Sequence, residues 1–428
     1  MPARCVPFCT PNEDTRSRTS CFHAALHQLV LLKMVAFGCT PLSSQGVFTL
    51  LWELAERKRR QKIRRADEAR SGRFHHVSPR LEEGLEVFQD PAVGAGGVLE
   101  TFRKGDPDAD LDLDPDPHLR DPKSAAQKEA VRCITDYLSN GLPVILQTRV
   151  LDGKGGRDDA GEPHAVLVFG MHLLSDPEDP YHGNGPTDED GHPRVDIAEL
   201  PGRLILHDIR TGPFTELPTR EVMEQAWFKA KNEADAAIHF LTIAPKGTNF
   251  GVSYVRRQAR ALMRGEPLSD LEAYLGSVSC DAEGLVPRDE NDMSYPHRWR
   301  YVTRLLQLHQ LKARYFARVK GAQLSEQKEP CNAFEAKLKR ARRQHRVEEG
   351  DYWWCVEVRP PYHPRPQGRR VPSPIPTPFC VYIWCTAQKA ERNGFQPFAS
   401  IRYAGRGKAV LNLNGKRNYR YAFFYNRA

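Results

Sequence analysis

Apolar residues along the first 245 positions follow a helical period early and a strand-like period later. In residues 21–34, CFHAALHQLVLLKM, they recur at the i, i+3, i+4, i+7 spacing of one helix face, and Ser20 is placed to cap that helix. The same kind of spacing predicts helices over 45–69 and 125–141. The last of these stops at Gly141, a usual C-terminal signal.

Four short runs rich in apolar and β-branched residues follow the third helix, and each predicts a buried strand. They span residues 143–149, 164–170, 203–209 and 237–245. Early helices followed by an antiparallel sheet are typical of the α+β class. Polar stretches rich in Asp, Pro and Gly, at 105–122 and 175–194, predict exposed loops between these elements.

Beyond Pro245 the pattern changes twice. Residues 252–320 have mostly helical spacing, whereas the tail contains four runs dense in aromatic and β-branched residues, which predict strands. The sequence therefore predicts three domains. These are an α+β domain over 1–245, a helical accessory segment over 246–346 and a β-rich domain over 347–428.

The composition, 40% hydrophobic and 27% charged, is ordinary for a globular protein. The chain holds no apolar run long enough for a membrane helix, and its first residues lack the apolar middle of a signal peptide. We therefore expect a cytoplasmic location and no membrane contact. The ten cysteines are then mostly reduced thiols, and no cofactor is expected.

Cys21 is the candidate nucleophile, because it is the first residue of the best-capped helix in the sequence. Unpaired backbone N–H groups at a helix N-terminus favour a thiolate, and one of them can donate to an oxyanion. His164 opens one predicted strand and Asp208 closes the next. If those strands pair antiparallel, the two side chains are neighbours, as a general base and the carboxylate that orients it must be.

Four segments together resemble the papain-like peptidase family that includes the double-glycine leader peptidases of bacteriocin exporters. They are TSCFHAALHQLVLL, NGLPVILQTRV, EPHAVLVFGM and LILHDIRTGPF. The resemblance covers roughly residues 15–245 and implies a bacterial cysteine hydrolase. Its catalytic residues would be Cys21, His164 and Asp208, and its substrate a peptide or protein cleaved at a peptide or isopeptide bond. A transglutaminase-like acyl transferase would use the same three residues.

Two positions depart from the family pattern. Members usually place a Gln, the second oxyanion donor, about six residues before the nucleophile, where this chain has Thr15. Asn12 or a backbone amide is the alternative donor. Many members also have Cys-Gly where this chain has Cys21-Phe22, which crowds the substrate face. Both departures bear on the efficiency of a peptidase more than on the fold.

Other groupings of reactive residues rank lower. Cys5, Cys9, Cys21 and His23 have no established zinc-site spacing. Cys39 is a rival nucleophile, but it precedes the next helix by several residues. His207 is a rival base. However, it is adjacent to Asp208 in one strand, and adjacent side chains of a strand point to opposite faces.

Basic segments support a different function. Residues 57–65 and 337–346 are rich in Lys and Arg, and residues 400–428 contain no acidic residue and interleave basic residues with aromatic ones. Charge that binds phosphates and rings that stack on bases suit a nucleic-acid surface, and an acidic protein would also fit. The alternative to an enzyme is therefore a non-catalytic binding protein on a papain-like scaffold.

Overall fold

The chain is described here from a computed structural model. It describes residues 4–5, 81, 84–85, 88, 95–103, 122–148, 164–172, 202–208, 212–226, 237–267, 269–271, 274, 299–316, 324–345, 347, 350–359, 378–388, 396–403, 408–413 and 418–422. The chain divides into two compact units, Met1–Lys246 and Gly247–Ala428. Both units combine helices with antiparallel sheets, so the α+β class is confirmed.

The first unit is built on a seven-stranded antiparallel sheet with the order β2-β7-β3-β4-β5-β6, and β1 also pairs with β4. Its strands are β1 (Arg4–Cys5), β2 (Gly96–Arg103), β3 (Val144–Thr148), β4 (His164–His172), β5 (Arg203–Asp208), β6 (Gly212–Pro218) and β7 (Ala237–Ala244). The four predicted strands of this region are confirmed as β3, β4, β5 and β7. The sequence did not predict β2 and β6.

In the described part of this unit, the helices with defined bounds are α1 (Pro122–Ser139) and α2 (Thr219–Ala226). Proline suits the first turn of α1, where its missing N–H has no intrahelical partner to lose. The helix ends as predicted at Gly141, whose φ of 71° is the left-handed conformation of a helix C-terminus. The predicted helices at 21–34 and 45–69, and the predicted loops at 105–122 and 175–194, fall outside the described residues or nearly so.

The second unit contains a six-stranded antiparallel sheet whose strands lie in sequence order, β8 to β13. They are β8 (Arg300–Gln307), β9 (Tyr352–Arg359), β10 (Cys380–Cys385), β11 (Ala399–Tyr403), β12 (Lys408–Asn412) and β13 (Asn418–Ala422). Among the residues described for this unit, the helices with defined bounds are α3 (Val252–Arg264), α4 (Leu308–Tyr315) and α5 (Leu324–His345). β9, β10, β11 and β13 confirm the four strands predicted for the tail.

The helical prediction for 252–320 is wrong at residues 300–307, which form β8. This strand pairs with β9 in a register that sets Val302 opposite Glu357. Residues 246–346, predicted as a helical segment, therefore contribute a strand to the same sheet as the tail. Within the described residues, no helix combines the length and apolar character that crossing a membrane requires.

Candidate functional site

His164 and Asp208 lie at the adjacent ends of two neighbouring strands in the first sheet. His164 is the first residue of β4 and Asp208 is the last residue of β5, and these strands pair antiparallel with Leu167 opposite His207 and Val168 opposite Leu206. Side chains alternate between faces along a strand, so this register puts His164 and Asp208 on the same face. The sequence prediction that they are neighbours is confirmed, and their catalytic role stays a prediction.

The two side chains are in contact and almost fully buried. The His164 Nε2 atom lies 2.9 Å from the Asp208 Oδ1 atom, and the side chains are only 1% and 2% exposed. A buried carboxylate this close to one ring nitrogen can orient the imidazole. With Nε2 directed at Asp208, Nδ1 is the nitrogen through which His164 would exchange a proton with a reacting group.

His207 belongs to the other face of the sheet. It lies directly before Asp208 on β5, opposite Leu167, and it is 5% exposed. Burial lowers the pKa of His207 below 6.5, although the charge of Asp208 opposes that shift. His207 is therefore buried on the face opposite to His164, and its lower rank as a candidate base stays a prediction.

Thr148 is the neighbour of His164 on the side away from Asp208. It is the last residue of β3 and lies directly opposite His164 in the ladder between β3 and β4. Directly opposite residues of an antiparallel pair share a face, so Thr148, His164 and Asp208 form a row across three strands. The sequence analysis did not single out Thr148, because its position in the row becomes visible only from the register.

Helix α1 packs on the face of the sheet that carries this row. The Tyr137 ring meets the Phe240 ring edge-on, with 5.8 Å between centroids, and Phe240 pairs with Leu146 two residues before Thr148. The Tyr137 hydroxyl donates to the buried Glu100 carboxylate at 2.7 Å. These contacts tie α1 to β2 and β7, and they hold the strand that carries Thr148 in place from one side.

The remaining predicted site residues are not described by the structure. Cys21, Asn12 and Thr15 lie outside the described residues, as do Cys9, His23 and Cys39 from the lower-ranked alternatives. Of Cys5, the structure describes only the backbone, in β1. Where side chains are described, no group of three or more His, Cys, Asp or Glu residues could hold a metal ion.

The second unit contains a buried ionic cluster that the sequence analysis also missed. Glu357 on β9 is 0% exposed. It accepts hydrogen bonds from Arg304 at 3.0 Å, Arg314 at 2.9 Å, Arg359 at 2.7 Å and the Tyr315 hydroxyl at 2.8 Å. Burial raises its pKa, but the charges of Arg304, Arg359 and Arg314 outweigh burial and hold the pKa of Glu357 at about 2.

The cluster is a structural element of the second unit. Its members come from three elements, β8, α4 and β9, and Glu357 holds them together. Arg304 and Arg314 are partly exposed, at 34% and 21%, so two of the three guanidinium groups reach toward solvent. No sequence signal identifies the set, because the arginines on β8 and α4 lie 53 and 43 positions from Glu357 in the chain.

Helix α5 presents a basic surface. Lys339, Arg340 and Arg343 are exposed on this helix, whereas Phe334 and Leu338 on its other side are buried. We call these three residues the basic face. The helix packs against β13, the last strand of the sheet, which lies within the basic region 400–428. The fold thus brings together two basic segments that are separate in the sequence.

Comparison with known proteins adds no assignment. No protein-family description, curated protein or solved structure matches the chain.

Proposed function

We propose that the chain is a cysteine hydrolase that cleaves a peptide or isopeptide bond by a Cys-His-Asp mechanism on a papain-like scaffold. The observation that carries the proposal is the contact between His164 and Asp208, 2.9 Å long and almost fully buried. An imidazole held by a buried carboxylate is the device that activates a thiol nucleophile. The sequence supplies Cys21 as that thiol, at the start of a helix that the apolar pattern predicts.

The proposed reaction has two steps. His164 takes the proton of the Cys21 thiol, and the thiolate attacks the carbonyl carbon of the scissile bond. The resulting tetrahedral oxyanion collapses to a thioester as His164 gives its proton to the leaving amine. Water, deprotonated by His164, then attacks the thioester, which releases the acid and restores the thiol. Asp208 holds the imidazole and stabilises its charged form through both steps.

The papain-like scaffold is part of the proposal. It is supported by the motif segments around Cys21, His164 and Asp208, and by an antiparallel sheet that carries the base and its carboxylate at adjacent strand ends. The same three residues would serve an acyl transferase, in which an amine replaces water in the second step.

The test uses peptides as substrates. The purified chain is incubated with a proteome-derived peptide library, and new termini are identified by mass spectrometry. We expect cleavage that disappears in both Cys21→Ser and His164→Ala, with and without a primary amine in the buffer. Amine-dependent products carrying new amide bonds would identify a transferase instead. Cleavage that persists in Cys21→Ser would refute the proposed nucleophile.

Binding to nucleic acid is the second candidate function, and the basic face favours it. Lys339, Arg340 and Arg343 are all exposed at one end of α5, and the helix lies against a strand of the basic region 400–428. Side chains three and four apart on a helix lie about 5–6 Å apart, a spacing that suits successive phosphates of one strand. Nucleic acid is favoured over an acidic protein because its charge is dense and regular.

The test measures binding of a labelled single-stranded RNA across a range of salt concentrations. Reversing the three charges of the basic face should weaken binding and reduce the slope of log K against log salt by about 2–3, since each neutralised phosphate contributes about 0.7–0.9. The control reverses three exposed charges of the first unit, Arg103, Arg220 and Lys246. Absence of binding at low salt, or an equal effect of both triple variants, would refute this function.

A further inference from the structure

Thr148 lies beside His164, where its side chain could contact the reacting group of a bound substrate. It lies opposite His164 at the end of β3, on the face that also carries Asp208, and its side chain is 0% exposed. The row of side chains therefore runs Thr148, His164, Asp208 across β3, β4 and β5. A hydroxyl in this place lies on the side of the imidazole that Asp208 does not occupy.

The Thr148 hydroxyl is a buried donor for which the described part of the chain supplies no acceptor. Among the residues described, its Oγ1 atom makes no hydrogen bond. A second buried threonine on the same face behaves in the ordinary way, since the Thr242 hydroxyl donates to the Pro143 carbonyl at 2.9 Å. Most buried hydroxyls are paired, and an unpaired one destabilises the folded chain. An unpaired donor beside a proposed general base is the arrangement expected of a group that binds a ligand.

We propose that Thr148 donates a hydrogen bond to the carbonyl oxygen of the bound acyl group and to the oxyanion that forms from it. This inference rests on the proposed hydrolase function. It supplies the second oxyanion donor that the chain needs, because the position where related peptidases have Gln holds Thr15. The backbone N–H of Cys21 is the first donor in this scheme.

The chemistry separates this role from activation of the thiol. When an ester acylates the thiolate, negative charge develops on the carbonyl oxygen, and a donor placed at that oxygen lowers the barrier. When iodoacetamide alkylates the thiolate, a carbon–sulfur bond forms as iodide leaves, and no oxyanion develops. A donor to the oxyanion affects the first reaction alone, whereas His164 affects both because both consume the thiolate.

Four variants isolate the hydroxyl. Thr148→Val keeps the branched shape and removes the donor, and Thr148→Ser keeps the donor. Thr148→Ala repeats the loss in a smaller side chain, so that Ala and Ser can be compared if Val disturbs the packing. Thr242→Val is the matched control, because it removes a buried threonine hydroxyl whose hydrogen bond lies within the protein.

The experiment measures two rates on the full chain, both assigned to Cys21 by peptide mapping. One is acylation by p-nitrophenyl acetate, which releases p-nitrophenolate as the acetyl thioester forms, and the other is alkylation by iodoacetamide. We expect Thr148→Val to slow acylation by about 100-fold, the loss typical of one oxyanion donor, and to leave alkylation within twofold of wild type. Thr148→Ser should restore acylation. Thermal unfolding of Thr148→Val should occur at or above the wild-type temperature, whereas Thr242→Val should unfold at a lower temperature and keep both rates.

The outcomes distinguish the proposed role of Thr148 from the hydrolase function on which it rests. If acylation is unchanged in Thr148→Val and Thr148→Ala while alkylation of Cys21 still depends on His164, the role of Thr148 is refuted and the hydrolase proposal stands. If both rates fall together in these variants, Thr148 acts on the thiolate and the oxyanion role is also refuted. If neither reagent prefers Cys21 and His164→Ala changes nothing, the hydrolase proposal fails and this inference fails with it.

Discussion

Replacing Glu357 by Gln removes the anion from the buried cluster and leaves its three arginines. A pKa of about 2 in place of 4.5 means that the folded protein favours the charged carboxylate by about 3 kcal/mol, at about 1.4 kcal/mol for each pH unit. Breaking a buried ion pair from one side costs about 3–5 kcal/mol. We therefore expect Glu357→Gln to destabilise the second unit by that amount and to lower its midpoint of thermal unfolding by about 10 °C.

Tryptophan fluorescence is the assay, because Trp299, Trp353, Trp354 and Trp384 of the six tryptophans belong to the second unit. The control is Glu335→Gln, which removes a carboxylate that is 41% exposed and pairs with Lys312 at 2.5 Å. An exposed pair contributes about 0–1 kcal/mol, so its midpoint should shift by less than about 3 °C. Equal shifts in the two variants would refute the reasoning.

The same cluster predicts how stability depends on pH. The folded-state pKa of Glu357, about 2, is below its usual 4.5, so its contribution is complete above pH 4.5 and is lost as the pH falls toward 2. Wild-type stability should decline through this window more steeply than that of Glu357→Gln. Parallel curves for the two proteins between pH 5 and pH 2 would contradict the assignment of this charge.

Three further substitutions test the first unit. Asp208→Asn should slow alkylation of Cys21 at pH 6 by at least about tenfold, because the carboxylate stabilises the charged imidazole; an unchanged rate would remove Asp208 from the site. His207→Gln should leave that rate within twofold, since His207 lies on the other face of the sheet, and a large loss would make it the base. Tyr137→Phe should destabilise the fold by about 1–3 kcal/mol in urea unfolding, because it leaves the buried Glu100 carboxylate without this donor; a change below about 0.5 kcal/mol would refute that estimate.

The central strands of the first sheet were predictable because both of their faces are buried. β4 and β7 are mostly apolar and are buried at nearly every position, and a short run of that kind bounded by polar segments is typical of a buried strand. The contact between His164 and Asp208 followed from the same reasoning, since antiparallel pairing brings the start of one strand to the end of the next. The order of the strands in the chain and their antiparallel pairing were therefore enough to predict this contact.

β8 was mistaken for a helix because its polar residues do not mark one solvent-exposed face, since Thr303 is buried and Arg304 is only partly exposed. Arg304 projects toward Glu357 inside the cluster, so the sequence lacks the alternation expected of a strand with one solvent face. Its apolar residues Val302, Leu305 and Leu306 match a helical spacing equally well. β2 was missed for a similar reason. Its Glu100 lies in the core, where it accepts a hydrogen bond from Tyr137, whereas a charged residue in a sequence usually indicates an exposed position. Ion pairs and hydroxyl–carboxylate hydrogen bonds between residues far apart in the chain leave no local pattern in the sequence.

The central claim is that His164, oriented by Asp208, activates Cys21. The most direct measurement is the rate of Cys21 alkylation by iodoacetamide between pH 5 and pH 9, compared by peptide mapping with the other cysteines and with His164→Ala. We predict that Cys21 reacts at pH 6 at least about tenfold faster than any other cysteine, and that His164→Ala abolishes this difference. A Cys21 that reacts no faster than the other cysteines, with the same rate in His164→Ala, would contradict the claim.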